Sequence, residues 1–374
     1  MMFQNARFDE IRRKVEQGDR LSAADGEYLY SDEVNLHAVG ELADAVCRRR
    51  HGATVFYNIN AHLNPTNVCV YRCALCAFSR DADDPRAYVM TMDEAAAQAR
   101  EAAAAGCTEI HIVGGVHPEK PFSWYRDLVA VVRRAAPALH IKAFTAVEIA
   151  WFAQQTRRDI GSVLAELMAA GLGSLPGGGA EIFDSEVRTR VCPRKADAKS
   201  WLNVHHVAHN MGLKSNATML FGHLESIEHR IDHLIRLRQQ QERSGGFQAF
   251  VPLSFHPAHT PLAHLPKTSP QDELRTVAVS RLMLDNFDHV KAYWISLGVG
   301  TAQTALRYGA NDFDGTVRRE RIHHEAGSAA PQALSVNEIE RLIRETGGTP
   351  VERDSLYRPV IRPDRPFARV LSGR

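Results

Sequence analysis

The sequence predicts an α/β fold, a TIM-type (β/α) barrel with an N-terminal helical cap and a C-terminal extension. Helical and strand patterns alternate almost from end to end, and each helix–strand pair takes about 30–50 residues, the size of a βαβ unit. Seven strong strands and a weaker eighth, joined by crossover helices, favour a barrel over the alternative, an open doubly wound sheet. We expect the cap over residues 1–50, the barrel over 51–330 and the extension over 331–374.

The first predicted elements flank a loop that contains cysteines. Residues 35–50 carry apolar side chains at helical spacing, and residues 55–60 are rich in β-branched and aromatic types, which is typical of a strand. After the loop, a helix over 92–105 ends at Gly106, a residue type that suits the position after a helix. A buried strand over 109–113 completes the unit.

The same unit recurs along the rest of the chain, with each helical pattern followed by a short apolar run. The predicted helices cover 124–132, 160–168, 200–212, 227–235 and 271–287. The predicted strands cover 140–144, 173–175, 214–220, 248–253 and 292–297, with the weaker eighth strand near 310–316. The tail from Arg358 is rich in arginine and proline, and we expect a solvated extension that wraps the barrel.

Composition excludes several classes of protein. The 374 residues carry 45 Lys and Arg against 44 Asp and Glu, which argues against a nucleic-acid partner. No apolar run reaches the roughly 18 residues that span a bilayer, and the polar N-terminus has no signal-peptide pattern. We therefore expect a cytoplasmic protein with no membrane span. In that reducing compartment the six cysteines are read as metal or redox groups before disulfides.

Three cysteines form a compact motif on the loop after the first strand: Cys69, Cys73 and Cys76. Zinc usually takes a fourth protein ligand, and the sequence has no second pair of cysteines or histidines at ligand spacing. A [4Fe–4S] cluster normally takes four cysteines, so three leave one iron open to an external ligand. The motif favours such a cluster over zinc and over three unligated thiols.

The other three cysteines lack this spacing. Cys47 lies on a predicted helix face and Cys107 beside a predicted strand, so we interpret both as small buried hydrophobic residues. Cys192 is a conceivable fourth ligand, but nothing in its spacing supports that role.

The cysteine motif, placed after the first strand of a barrel, resembles that of the radical S-adenosylmethionine (SAM) superfamily. The resemblance implies a [4Fe–4S] cluster whose open iron binds the amino and carboxylate groups of SAM. SAM is then a co-substrate, because electron transfer from the cluster cleaves its C5′–S bond to give methionine and a 5′-deoxyadenosyl radical.

Further runs resemble one subgroup, which comprises aminofutalosine synthase, dehypoxanthine futalosine cyclase and the deazaflavin (FO) synthase components. The resemblance covers roughly residues 50–330. The runs that carry it are 62–69, 76–78, 111–118, 174–182 and 216–223. Within the subgroup, residues 255–257 and 308–316 look most like the aminofutalosine synthase family, and Asn311 and 314–316 depart from the run usual in the cyclase.

This resemblance implies addition of the deoxyadenosyl group to 3-[(1-carboxyvinyl)oxy]benzoate, with rearrangement and loss of carboxylate. The products would be 6-amino-6-deoxyfutalosine and methionine, in menaquinone biosynthesis, with a flavodoxin or ferredoxin as electron donor. The alternatives are the cyclase or an FO synthase component and, outside the class, a non-catalytic Fe–S electron carrier.

The resemblance also assigns residues to SAM. Phe78 follows the last cysteine, and Gly114-Gly115 stands where the superfamily has a glycine-rich strand end, so backbone carbonyls would contact SAM. For the two glycines, a plain turn is the alternative.

A second set of SAM candidates follows later strands. Glu181, after the glycines at 177–179, would accept a hydrogen bond from the ribose diol. Asn216 and Thr218 alternate with apolar neighbours on a strand, which favours contacts to the carboxylate or ribose of SAM. Internal hydrogen bonds are the alternative for these two.

His256 and Asp312 are the candidates for catalysis. His256 would bind a substrate carboxylate or donate a proton, and Asp312 lies in a polar cluster, 311–316, which we interpret as a loop. Helix capping or turn formation is the alternative for that cluster. The implied substrate has two carboxylates and needs basic partners. The sequence does not select among Arg72, Arg80, Lys142 and Arg307.

Overall fold

The computed structural model describes residues 6–362. Residues 1–5 of the predicted cap and 363–374 of the predicted extension lie outside this part. The strands are β1 (Thr54–Asn58), β2 (Asn60–Leu63), β3 (Glu109–Ile112), β4 (His140–Ala143), β5 (Leu172–Leu175), β6 (Lys214–Phe221), β7 (Phe247–Ser254), β8 (His289–Val290), β9 (Asp312–Gly315) and β10 (Thr349–Glu352).

The helices surround these strands and mostly begin at side-chain caps; Ser22, Thr91, Ser226 and Ser335 each form a reciprocal capping box. They are α1 (Ala6–Gln17), α2 (Ala23–Tyr30), α3 (Leu36–His51), α4 (Met92–Ala104), α5 (Phe122–Ala135), α6 (Ala146–Thr156), α7 (Ile160–Ala170), α8 (Ser185–Val191), α9 (Ala198–Asn210), α10 (Ile227–Ser244), α11 (Pro270–Met283), α12 (Trp294–Leu297), α13 (Val299–Ala305), α14 (Ile322–Glu325) and α15 (Val336–Glu345).

The strands form a closed parallel ring, which confirms the predicted barrel. Strands β2 to β8 make one parallel sheet in chain order. Strand β9 joins both edges of that sheet, because Lys291 after β8 bridges Asp312 and Ala61 of β2 bridges Arg318, both in parallel. Such a ring places the loops that follow the strands at one end of the barrel.

The predicted first strand divides into two at Ile59. Its first part, β1, lies between β9 and β10 in a separate three-stranded sheet, while β2 continues into the ring. Strand β10 was not predicted, because it is short and Pro350 lacks the N–H that an interior strand position uses. The extension therefore adds a strand to the barrel as well as packing against it.

Two predicted elements were wrong. Residues 294–297 form the short helix α12 instead of a strand, and the true strand β8 ends at Val290. The hydroxyl of Ser296 on α12 accepts from Ser254 N–H at 2.6 Å and donates to Ser254 O at 3.1 Å. A side chain thus satisfies the end of β7, where a strand would have used its backbone. The interpretation of 311–316 as a loop was also wrong, whereas the weaker eighth strand predicted near 310–316 is confirmed as β9.

The N-terminal helices pack on the outer helical layer. Helix α3 lies against α11, and α2 lies against α10 and α11. A Cβ at Gly40 would lie 2.5 Å from the ring of Tyr308, so α3 approaches this ring as closely as it does because position 40 is glycine. Within residues 6–362, no helix has the length and apolar character needed to cross a bilayer.

Candidate active site

A cavity of about 300 Å³ opens at the carboxyl ends of the barrel strands, where barrel enzymes place their chemistry. Its wall is mostly apolar. The predicted site residues that line it are Cys69, Cys73, Cys76, Phe78, Gly114, Gly115, Glu181, Asn216, Thr218 and His256. The structure thus brings together residues from five different strand ends.

The loop that carries the three cysteines is fixed by backbone hydrogen bonds on two sides. Cys69 N–H donates to Arg80 O at 3.1 Å, and Arg80 N–H donates to Asn67 O at 2.8 Å. Ala74 N–H donates to Val191 O at 2.9 Å, which ties the loop to the end of α8. The cysteines are therefore held in place by the fold without help from a ligand.

Gly114 and Gly115 allow this loop to lie directly on the end of β3. A Cβ built on Gly115 would lie 2.2 Å from Val68 O, and one on Gly114 would lie 2.8 Å from Thr66 O. Gly115 N–H donates to Thr66 O at 2.7 Å. The absence of side chains at these glycines thus makes room for the cysteine loop. Their carbonyl contacts to SAM stay a prediction.

The three thiols suit a cluster better than a single ion. Over residues 6–362, no group of three or more His, Cys, Asp or Glu side chains could hold one metal ion. In a cubane cluster each cysteine binds its own iron, and Cys69, Cys73 and Cys76 all line the cavity where such a cluster would sit. Burial raises the pKa of the Cys73 thiol to about 12.

Glu181 forms a buried ion pair that sequence reasoning missed. Its carboxylate lies 2.5 Å from the ammonium of Lys195, and both residues line the cavity. Burial opposes ionisation of Glu181, but Lys195 outweighs burial and lowers the pKa of the carboxyl. Lys195 lies in the loop between α8 and α9, outside any pattern in the sequence that would have marked it.

Asn216 and Thr218 both face the cavity, but only one of the two side chains lacks a hydrogen-bond partner among the described residues. The Thr218 hydroxyl donates to Gly177 O at 2.6 Å, so the internal hydrogen bond that was the alternative for this residue is present. The side-chain amide of Asn216 has no hydrogen-bond partner among the described residues and remains open to a ligand.

His256 lies at the cavity wall as a neutral side chain. Its Nε2 donates to Ser296 O at 2.8 Å, and burial lowers the pKa of the imidazole to about 4. The ring is therefore oriented by α12, with Nδ1 left as the acceptor. A proton donor role at neutral pH does not fit this environment, whereas hydrogen bonding to a ligand does.

Asp312 does not line the cavity, and the geometry does not support the catalytic role predicted for it. Its Oδ2 accepts from Arg353 Nε at 2.8 Å and from the Tyr357 hydroxyl at 2.5 Å, while Oδ1 accepts from Asp314 N–H at 2.7 Å. The carboxylate is completely buried. It is a structural group that joins the extension to the barrel.

Of the four basic candidates, only Lys142 lines the cavity. Arg72 and Arg80 both donate to the carbonyl of Ser79 and so hold the cysteine loop. The side chain of Arg307 is 51% exposed on the outer surface. The structure thus makes the selection that the sequence could not.

Several polar residues that the sequence did not single out also face the cavity. His62 and His111 lie opposite each other on β2 and β3, with ring centroids 4.6 Å apart. Lys291 and Asp314 contribute a second lysine and a second carboxylate. For His62 and His111 the available signal was a position near the carboxyl end of a predicted strand, where polar residues in a barrel gain access to the site. Lys291 had no such signal, because it precedes the wrongly predicted strand 292–297 and follows the true strand β8.

Glu148 is a further cavity residue, at the start of α6. Its Oε2 accepts from Thr145 N–H at 2.6 Å, and its Oε1 is buried with no hydrogen-bond partner. Burial raises the pKa of this carboxyl to about 7. A cationic ligand group beside it would restore ionisation.

The cysteine loop, the cavity and the closed ring can be compared with known proteins. Residues 63–237 match the model described as "Radical SAM superfamily", and residues 244–365 match "CofH/MqnC C-terminal region". Aminodeoxyfutalosine synthase of Thermus thermophilus is 44% identical over 354 residues, 94% of this chain and 95% of that protein. The chain belongs to the radical SAM superfamily. It is an enzyme of the carbon–carbon bond-forming kind, with a [4Fe–4S] cluster and SAM.

Two other relatives are similar over most of the chain, and a solved structure shares its fold. Aminodeoxyfutalosine synthase of Streptomyces coelicolor is 41% identical over 93% of this chain and 92% of its own. A 5-amino-6-(D-ribitylamino)uracil–L-tyrosine 4-hydroxyphenyl transferase of Methanopyrus kandleri is 40% identical over 92% and 94%. The crystal structure of methylornithine synthase shares the fold, with a TM-score of 0.72 at 20% identity over 91% of this chain and 97% of that one.

Proposed function

We propose that this radical SAM enzyme is an aminodeoxyfutalosine synthase. It joins the 5′-deoxyadenosyl group of SAM to 3-[(1-carboxyvinyl)oxy]benzoate, with rearrangement and loss of one carboxylate, and releases 6-amino-6-deoxyfutalosine and methionine for menaquinone biosynthesis. The observation that carries the proposal is 44% identity, over 94% of this chain, to the Thermus thermophilus protein of that name.

Cys69, Cys73 and Cys76 would hold the cluster and leave one iron without a cysteine, for the amino and carboxylate groups of SAM. When bound, the cluster supplies the electron that splits the C5′–S bond of SAM. The proposal is supported by the three thiols lining one cavity together with Gly114 and Gly115. We also propose that the electron comes from a flavodoxin or ferredoxin.

Residues on the cavity wall would fix the position of the ribose of SAM. The free amide of Asn216 and the Glu181 carboxylate, held by Lys195 at 2.5 Å, are candidates for the ribose hydroxyls. Phe78 is buried at the cavity wall and packs edge-to-face on Tyr88, with ring centroids 6.5 Å apart. Such groups would hold the C5′ carbon close to the vinyl carbon of the substrate.

The apolar wall would protect the reactive intermediate. Val116, Leu220, Val251, Leu253 and Phe255 line the cavity, and their apolar side chains would keep water away from the substrate. Addition to a double bond requires that water and easily abstracted hydrogens stay away from the radical carbon. A wall of this kind would favour addition over quenching.

A second candidate function is the transfer reaction of the archaeal relatives. The observation that favours it is the 40% identity of the Methanopyrus kandleri 4-hydroxyphenyl transferase over 92% of this chain. Its name implies tyrosine and a ribitylamino-uracil as substrates, so the two candidates differ in both compounds that meet in the cavity.

An anaerobic assay separates the candidates. The cluster-reconstituted protein is incubated with SAM and dithionite, and with the enol-ether benzoate, with tyrosine plus the aminouracil, or with dehypoxanthine futalosine. We expect a mass corresponding to 6-amino-6-deoxyfutalosine with the first substrate alone. Free 5′-deoxyadenosine without an adduct from the benzoate would refute the synthase proposal.

Matched cysteine variants control that assay. Cys73→Ala should abolish both SAM cleavage and product, because Cys73 lines the cavity. Cys107→Ala should retain both, because Cys107 is buried outside the cavity lining. Retained cleavage in the first variant would contradict the assignment of the cluster ligands.

A further inference from the structure

Two buried ion pairs form the polar floor of the cavity, defined here as Glu109, Lys142, Lys291 and Asp314. Lys142 Nζ lies 2.6 Å from Glu109 Oε2, and Lys291 Nζ lies 2.9 Å from Asp314 Oδ1. No side chain in this set is more than 10% exposed, and all four line the cavity. Barrel interiors are usually filled with branched apolar residues, so four ionised side chains here need an explanation.

Stability does not explain the polar floor. Buried ion pairs are often no more stabilising than well-packed apolar residues of the same volume, because desolvation offsets their attraction. A third pair in the same barrel, Asp312–Arg353, serves as a comparison. It lies outside the cavity lining, and the Asp312 carboxylate accepts from Arg353, Tyr357 and a backbone N–H.

The two lysines of the floor make fewer hydrogen bonds than the groups of the Asp312–Arg353 pair do. Among the described residues, Lys142 donates to Glu109 alone and Lys291 to Asp314 alone. An ammonium group has three N–H donors, so each lysine keeps two donors for the cavity. His111, paired in register with Lys142 across β3 and β4, adds a buried Nε2 that has no partner.

Within the floor, Glu109 favours the charged form of Lys142. Burial lowers the pKa of Lys142, and Glu109 opposes that effect. Burial also works against ionisation of Glu109, but Lys142, Lys291 and Arg353 together hold its pKa well below the usual value. Glu109 and Lys142 therefore favour each other's charged forms at the cavity wall, while the 2.9 Å contact with Asp314 fixes the position of Lys291 Nζ.

The two lysines come from opposite sides of the ring, since β4 and β8 are four strands apart in a ring of eight. We propose that Lys142 and Lys291 are a two-point anchor for a small aromatic dicarboxylate, each lysine binding one carboxylate. The proposal rests on the proposed function, whose enol-ether benzoate has one carboxylate on the ring and one on the vinyl group. Charge-assisted hydrogen bonds from both ends would fix the orientation of the vinyl carbon.

Direct binding measurements test the anchor without turnover. Anaerobic calorimetry of the cluster-loaded enzyme, with no reductant, gives the dissociation constant of the diacid. It is repeated with 2-phenoxyacrylate, which lacks the ring carboxylate, and with 3-(vinyloxy)benzoate, which lacks the other. The wild-type enzyme should bind each monoacid about 10- to 100-fold more weakly than the diacid.

The variants remove each ion pair as a unit, so that no buried charge is left alone: Glu109→Gln with Lys142→Met, and Lys291→Met with Asp314→Asn. Each double variant should weaken diacid binding about 10- to 100-fold. Each double variant should also bind the diacid no more tightly than one of the two monoacids, namely the one without the carboxylate that the deleted lysine would have bound. The control, Asp44→Asn with Arg48→Met, removes an ion pair on α3 outside the cavity lining and should leave the affinity within about twofold.

The outcomes separate this inference from the proposed function. The anchor alone is overturned if the wild-type enzyme converts the benzoate and the folded variants bind the diacid as tightly as the wild type does. A wild-type enzyme that neither binds nor converts the benzoate overturns the proposed function. If the variants fail to fold, equal wild-type affinity for the diacid and both monoacids still overturns the anchor.

Discussion

Among single residues, Asp312 and Asp314 show how distant contacts decide the role of a side chain. Both are carboxylates on β9, and the sequence offers no reason to prefer the second as a cavity residue. Asp312 is occupied by Arg353, a residue 41 positions later in the chain. Such a contact depends on where the extension packs, so local patterns could not reveal it. The cysteines were predictable because their spacing is itself local.

Loss of the Asp312 carboxylate should affect stability directly. In Asp312→Asn, Arg353 keeps its charge at 1% side-chain exposure and loses its 2.8 Å ion pair, which leaves only Asp314 Oδ1 at 4.0 Å. We expect the free energy of unfolding to fall by about 3–5 kcal/mol, measured by urea denaturation. Asp83→Asn, at an exposed position, is the control and should change it by no more than about 0.5 kcal/mol. A loss below about 1 kcal/mol in Asp312→Asn would contradict the structural role.

At the level of elements, the contact between the cysteine loop and the end of β3 depends on Gly115. In Gly115→Ala the new Cβ would meet Val68 O at 2.2 Å, a backbone atom that cannot move alone. We expect the loop to shift and the iron bound per chain after anaerobic reconstitution to fall severalfold.

Gly300→Ala is the matched control for that variant. Gly300 is on α13 with no atom within 4 Å of an added Cβ, and alanine is favoured over glycine within a helix by roughly 0.5–1 kcal/mol. Iron content should therefore equal that of the wild type. Full iron content in Gly115→Ala would show that the loop tolerates displacement.

Most elements were predictable where a helical or strand pattern was long. The helix predicted over 92–105 is Met92–Ala104, and the strand over 214–220 is Lys214–Phe221. The errors fall on short apolar runs such as 292–297, because such a run fits a buried helix or a buried strand equally well. The deciding contact, Ser296 with the end of β7, is again a tertiary one.

For the whole molecule, the extension supplies contacts that the folded barrel requires for its stability. A chain that ends at residue 330 loses β10 from the edge of β1, and it loses the Arg353 and Tyr357 partners of Asp312. We expect it to be insoluble or to unfold without a cooperative transition, as monitored by circular dichroism. A chain that ends at Arg362 keeps all of these contacts and should unfold cooperatively. Similar unfolding of both would contradict the requirement.

The stability of the whole molecule should also depend on the charge state of Glu273 on α11. Burial raises the pKa of this carboxyl from 4.5 to about 7. The native state then holds the proton more tightly than the unfolded state does. Protonated Glu273 therefore stabilises the native state fully below about pH 4.5, and this stabilisation is lost as the pH rises through about 7.

The variant Glu273→Gln should remove this contribution. Between about pH 5 and pH 8 we expect its free energy of unfolding to fall by roughly 2 kcal/mol less than that of the wild type. Urea denaturation at the two pH values gives both slopes. Identical slopes would mean that Glu273 does not titrate as its burial requires.

The position of β1 between β9 and β10 has a consequence for the growing chain on the ribosome. Strand β1 emerges early, yet both of its neighbours, β9 and β10, are translated only after residue 311. Since nascent chains begin to fold from the N-terminus, β1 must wait with unpaired edges through most of translation. The ring also stays open between β8 and β2 until β9 and the residues after it leave the exit tunnel, because those residues bridge both strands.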